Sequence, residues 1–516
     1  MKQMILCMML LLCMNPFLFA SDKAPELWGG LIPGPNKVGF RFSEETDLSR
    51  PCVGDANGKQ GRVVRMYLWY PAVATALPCM RFKAYADLAA GDFESAPVSL
   101  AEPGFMDRAI PLSLGFSEPG LARLLEARTA AVRDAAPHED AFPLLLFGQG
   151  LYYESPITHS ILCEFLASHG YVVATCPLTG PHSRHVRLDT AGLEAQVRDL
   201  EFVLSRSVRL PFVDSKRLGL LGFDMGGMAA VVLLMRNPGV KAMASLDAGI
   251  VFGHPSELPG KMPDYDVNPF RVPWIHLTSA KTIHANQALL HTQSLFAKAR
   301  YADRYLLGFE ETQHVNFNSY SLLGMEKPVP GYWGPLHPAS KRIYSLICDY
   351  LLHFMNGYLC RDPEGLAFVE QPVEAHPAHG FSFFMEKKKA EPAPPTGDDF
   401  VNALYFQGIQ EALRLVRKTA PGDGKEAFSE AYLNEMGYKC LYFWGRPEWA
   451  TSIFELMVER HPESSNAYDS LGEAYLYHKK YDLSVRSYRK SLDLNPENEN
   501  ARTALERLKQ QGYGVE

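Results

Sequence analysis

The sequence predicts an α/β protein in which a mostly parallel sheet is covered on both faces by helices, followed by a small all-α unit. Three observations predict it. Apolar stretches alternate with helical patterns between residues 60 and 355, as in a parallel sheet whose strands are joined by crossover helices. One strand of that series runs into a glycine-framed turn, Gly222-Phe223-Asp224-Met225-Gly226-Gly227, ahead of a helix. Past a Pro-rich stretch, a 34-residue self-similarity replaces the alternation.

The chain starts Met1-Lys2, continues with apolar residues from Met4 to Met14, and reaches Ala20 just before the polar Ser21-Asp22-Lys23. A basic start, an apolar run too short to span comfortably and a small residue at the break predict a secretory signal cleaved after Ala20, hence a secreted or periplasmic protein. An uncleaved anchor is the alternative. Bulky Leu12 ahead of Cys13 argues against lipoprotein attachment. No later apolar run approaches about twenty residues, so any membrane association is expected to be peripheral.

Strands are predicted over 62–70, 142–147, 171–176, 218–222, 242–247, 274–278 and 305–309, and helices over 157–169, 192–205, the segment through Met235, and around 286–299. An Ala-rich, partly helical insertion, including 120–133, interrupts the series at about 85–140. The α/β domain is thus expected over 21–385. Residues 386–398, charged and Pro-rich with few large apolar side chains, read as a linker. The helical unit follows over 399–516. Within it Leu441 matches Tyr475, Ala450 matches Ser484, Phe454 matches Tyr488 and Pro462 matches Pro496, the tetratricopeptide period. Such repeats cannot bury their apolar faces alone, so 400–417 is expected to pack beside them as an extra helix. The concave face of such a unit suits a peptide or a second copy of the chain; with so few repeats, packing on the α/β domain is the alternative.

The 516 residues are 47% hydrophobic and 21% charged, which excludes a mainly disordered chain, and the net charge of -7 supplies no basic field for nucleic acid. Seven cysteines follow the signal, an odd number. Cys52 and Cys79 are the pair to test first in an exported protein. Cys348 and Cys360, about 18 Å apart on one predicted helix, are too distant to bridge. No Cys-x-x-Cys or His-rich spacing calls for a metal, and no cofactor is expected.

The turn at Gly222–Gly227 has the frame of a nucleophile elbow, G-x-S-x-G, in which glycines permit a sharp strand-to-helix turn that lifts one side chain above the sheet edge. Here that residue is Asp224. The N–H groups of the following helix favour its ionised form. Phe147-Gly148-Gln149-Gly150-Leu151 follows a buried strand, where the backbone N–H groups of Leu151 and Met225 can converge on a developing oxyanion. Asp247 ends the next strand, where it can orient an imidazole or cap a helix. His314 follows the strand over 305–309. Tyr152 and Tyr153, beside the oxyanion loop, are candidates for polarising an epoxide oxygen or lining a pocket. His182 and His185, near Arg184 and Arg187, form a small basic loop.

The chain resembles the platelet-activating-factor acetylhydrolase branch of the α/β-hydrolases over roughly residues 35–355. The carrying segments are Trp69-Tyr70-Pro71-Ala72, FPLLLFGQGL, LASHGYVVATCPLTG, LGLLGFDMGG, VKAMASLDAG and QHVNF. The resemblance implies an α/β-hydrolase fold, metal-free cleavage of short or oxidised acyl chains from phospholipids and other small esters, and a small ester or lipid-like substrate. It maps the nucleophile to Asp224, the acid to Asp247, the base to His314 and the oxyanion donors to Leu151 and Met225. Two positions depart from it. The family's Gly-His-Ser-x-Gly reads Gly-Phe-Asp-x-Gly, and the His of its oxyanion loop reads Gln149.

A carboxylate attacking an ester would form an anhydride from a weak nucleophile, whereas at saturated carbon it displaces halide or opens an epoxide to give an alkyl ester that water can cleave. Three readings follow: an Asp224-nucleophile hydrolase, although enzymes of that kind usually carry Trp where this chain has Met225; a non-catalytic binding fold; and residual ester hydrolysis with Asp224 or His314 as general base.

Overall fold

The computed structural model describes residues 25–51, 61–93, 116–151, 155–181, 186–250, 258–267, 270–324, 338–373, 381–419 and 428–513. The signal, Cys52, Tyr152, Tyr153 and residues 182–185 lie outside them. The chain forms two compact units, 1–391 and 392–516.

Ten strands build one sheet: β1 (Lys37–Pro51), β2 (Gly61–Ala72), β3 (Ala131–Arg133), β4 (Phe142–Gly148), β5 (Val172–Thr175), β6 (Val213–Phe223), β7 (Val240–Leu246), β8 (Trp274–Ser279), β9 (Arg304–Phe309) and β10 (Phe383–Lys388). Their order is β10-β9-β8-β7-β6-β4-β5-β2-β1-β3. The central six, β4 to β9, pair in parallel. β2 adds antiparallel to β5, β1 to β2, and β10 to β9. The middle strands read as continuous apolar runs because both faces are covered. On one face Leu145, Val173, Leu221 and Ile275 pack with the helices Ser160–Ser168 and Ser340–Leu359; on the other Leu144, Val172, Leu220 and Met243 pack with Thr190–Ser207 and Met225–Arg236. Fully burying each such side chain contributes about 1.5–3 kcal/mol.

Several expectations change. The predicted helix over 157–169 begins as a 3-10 turn, Pro156–His159, before Ser160–Ser168 becomes α-helical. The single helix around 286–299 is three short ones, Ala280–Ala285, Gln287–Leu290 and Leu295–Lys298, because Asn286 and Ser294 bond locally and interrupt the run. Within the insertion, the helical reading of 120–133 ends at Glu126, and β3 instead pairs in parallel with β1. Residues 386–388 belong to β10, and Ala390 and Glu391 remain bonded to Asp303 and Arg300. The charged half of the expected linker is therefore an edge strand, where lysines suit an exposed sheet edge.

In the second unit helices Glu430–Tyr438, Pro447–Arg460, Ser465–Tyr477, Tyr481–Leu494 and Glu499–Gln510 pack in sequence. Ala450 and Ser484 are fully buried, and Phe454 and Tyr488 lie over Gly437 and Gly472, where no Cβ fits. The matched positions thus share one packing role. The extra helix at 400–417 is two helices, Gly397–Phe406 and Ile409–Arg417, split at Gly408 with φ 92°.

Candidate active site

β4, β6, β7 and β8 end at the same sheet edge, and Leu151, Asp224, Asp247 and His314 meet there. After β6, Asp224 adopts φ 50°, ψ −119°, a conformation that costs a non-glycine residue about 1–3 kcal/mol. Packing enforces it. A Cβ on Gly222 would lie 2.4 Å from the Gly226 oxygen, one on Gly226 2.0 Å from the Gly148 oxygen, and one on Gly150 2.7 Å from Asp224 Cβ. Only glycines let the helix Met225–Arg236 approach β4 and β6 this closely.

Asp224 Oδ2 accepts the Leu151 N–H at 2.8 Å. The side chain makes no capping bond to the helix that follows. Burial raises its pKa above the ordinary carboxylate value, aided by neighbouring Asp247, while the His314 charge and the N–H groups of Met225 and Leu151 oppose the rise. The two N–H groups read from the sequence as oxyanion donors therefore bear on the Asp224 carboxylate itself.

Asp247 follows β7 at φ 41°, with its N–H on the Leu277 carbonyl. Its Oδ2 lies 2.6 Å from His314 Nδ1; an ionised carboxylate only accepts, so Nδ1–H donates and the basic lone pair of the neutral ring is on Nε2. Oδ1 accepts the Thr278 hydroxyl at 2.5 Å and the Ser279 N–H at 3.2 Å. Burial works against the charged form, but the His314 bond and charge, with Thr278 and Ser279, hold the Asp247 pKa below its usual value. His314 is shifted oppositely. Burial lowers its pKa, yet the bond and charge of Asp247 and the charge of Asp224 carry it above the usual imidazole value.

His314 opens the short helix His314–Phe317, whose Asn316 accepts the Gln313 N–H and donates to Ser340. Ser279 fastens the two halves of the pair, its N–H on Asp247 and its hydroxyl on the Thr312 carbonyl. Thr278, Ser279, Phe223 and the buried His159 escape sequence reasoning as functional residues, although 274–278 reads as a strand and Phe223 falls within the elbow. Gln149 turns away from the edge into the core, its side-chain amide donating to the Thr175 hydroxyl at 2.9 Å while its backbone carbonyl accepts from the Gln196 side chain. In the expected basic loop, Arg187 is exposed and lies 3.7 Å from Asp189.

The parallel sheet, the strained turn after β6 and the chain order Asp224, Asp247, His314 define an α/β-hydrolase fold. No family model and no curated protein sequence matches the chain. Among solved structures it is similar to a ferulic acid esterase from Streptomyces cinnamoneus, with a TM-score of 0.50 and 22% identity over 68% of this chain and 96% of that one. At that identity the likeness shows the fold.

Proposed function

We propose that the chain is a hydrolase acting at saturated carbon, with Asp224 as nucleophile, His314 as base and Asp247 as the acid that orients it. The observation that carries this reading is the bond from the Leu151 N–H to Asp224 Oδ2 at 2.8 Å. A carboxylate so held keeps one oxygen on the donors while the other attacks. The attacking oxygen bonds to carbon as the bond to halide or epoxide oxygen breaks, and an opened epoxide oxygen takes a proton from solvent. Water, giving its proton to His314 Nε2, then attacks Cγ of the Asp224 ester, with the resulting oxyanion on the Leu151 and Met225 N–H groups. The alcohol leaves with the proton held by His314, and the Asp224 carboxylic acid releases the second water proton to solvent, restoring both residues. The substrate class is a small, uncharged, lipid-like electrophile met outside the cytoplasm, and the second unit is a tetratricopeptide-type module offering a face to a peptide.

The same bond favours one rival, a disabled esterase kept as a binding module, because Asp224 occupies the donor an ester carbonyl would need. The mature chain from Ser21, assayed on epoxides, haloalkanes and p-nitrophenyl esters beside Asp224→Asn and Asp224→Ser, separates them. The expected result is turnover of an epoxide or haloalkane with an alkyl adduct on Asp224, lost in Asp224→Asn. No turnover by the native chain, with esterase activity gained in Asp224→Ser, establishes the rival.

A further inference from the structure

The bond from Nδ1 to Asp247 fixes one point of the His314 ring but does not by itself set the plane of that ring. A second contact sets the plane. The Phe223 ring lies against it, centroids 4.4 Å apart and planes 25° from parallel. Phe223 ends β6 immediately before Asp224 and is fully buried. Gly150 lies flat on it, since a Cβ there would come within 2.7 Å of the Phe223 ring. Behind it stands His159, also fully buried, 4.9 Å from Phe223 and 4.7 Å from Phe147. Among the described residues neither ring nitrogen of His159 has a hydrogen-bond partner, and its ring, tilted 59° from Phe147 and 58° from Phe223, packs as an aromatic spacer between them.

We infer that Phe223 is the positioning residue of the candidate base: its stacked ring, backed by the tilted rings of His159 and Phe147 in one aromatic column, sets the His314 ring plane and stabilises its protonated form. This rests on the reading of His314 as base. An aromatic face attracts a cation, so the column favours the imidazolium that forms when His314 takes a proton from water. His159 does not compete for that proton, because burial and the nearby His314 charge depress its pKa to about 3. Among the described residues, the groups acting on His314 include Asp247, Asp224, Phe223 and neutral His159. The resemblance places a histidine where Phe223 stands, so the platform belongs to this chain's own sequence.

The test is histidine NMR on the full mature chain, which reads the ring whether or not a substrate is known. In the native protein the His314 ring protons are expected upfield from the Phe223 ring current, and Phe223→Leu is expected to lower the His314 pKa by about half a unit. His159→Phe, which keeps an aromatic spacer, is expected to leave that pKa in place. With an active substrate, Phe223→Leu slows adduct hydrolysis several-fold and leaves adduct formation unchanged. Absence of the upfield shift in the native protein overturns the inference without needing a variant, as does an unchanged pKa in a folded Phe223→Leu. The shift together with no turnover on any substrate keeps the column and rejects the hydrolase reading.

Discussion

Asp224 and His314 set each other's charge. The Asp224 carboxylate is one of the groups that raise the His314 pKa, and an alkyl ester on Asp224 has no charge. On the proposed reading, forming the adduct would remove part of what holds a proton on His314, while Asp247 remains in place. The proposed base would then be released at the step that needs it. The expected consequence is a difference between two titrations. Single-turnover decay of the adduct should rise with pH through a midpoint lower than the His314 pKa measured by NMR in the free protein. Equal midpoints would remove Asp224 from the control of the base.

Between β6 and the helix Met225–Arg236, contact is set by atoms that are absent. Gly148, Gly222 and Gly226 touch through backbone, and a methyl on Gly226 meets the Gly148 oxygen at 2.0 Å. Backbone cannot yield as a flexible side chain does, so Gly226→Ala must displace the start of the helix or the end of β4. Overpacking of this kind destabilises by about 1–3 kcal/mol. Met225 and Leu151 would shift with those elements. Thermal unfolding of Gly226→Ala should show a lowered transition, and adduct formation should fall even in the folded fraction; an unchanged transition would show that the contact relaxes freely. Gly324, whose Cβ would meet nothing within 4 Å, lies away from that contact, although its φ of 77° strains an alanine for a different reason.

The two units have separate cores. In the first, Asp199 is buried between Arg62 and Arg50 at 2.5 and 2.8 Å, and Arg62 also holds the Thr179 and Gly180 carbonyls. In the second, Phe454 fills the space over Gly437 and is fully buried. Phe454→Ala should lower the second unit's unfolding transition by about 3–5 kcal/mol and leave that of the first in place. Calorimetry checks this, and a single transition moving as one would show that the units unfold together.

The strand positions over 142–147, 218–222, 274–278 and 305–309, the elbow glycines, and the order of Asp224, Asp247 and His314 were legible in the sequence because each depends on local pattern. Runs of Leu and Val mark doubly buried strands, and glycine spacing marks a turn that tolerates no Cβ. The packing repeat of Phe454 and Tyr488 was legible for the same reason. Tertiary structure alone decided the rest. β10 pairs with β9 although its Lys-rich sequence reads as linker, because a free sheet edge supplies partners that composition does not record. Gln149 points into the core because Thr175, on the neighbouring strand, accepts its proton. Thr278, Ser279, Phe223 and His159 join the site only where separate strands and loops converge. The direction in which Asp224 aims its carboxylate also lay beyond the sequence, since it depends on the Leu151 N–H, 73 residues away.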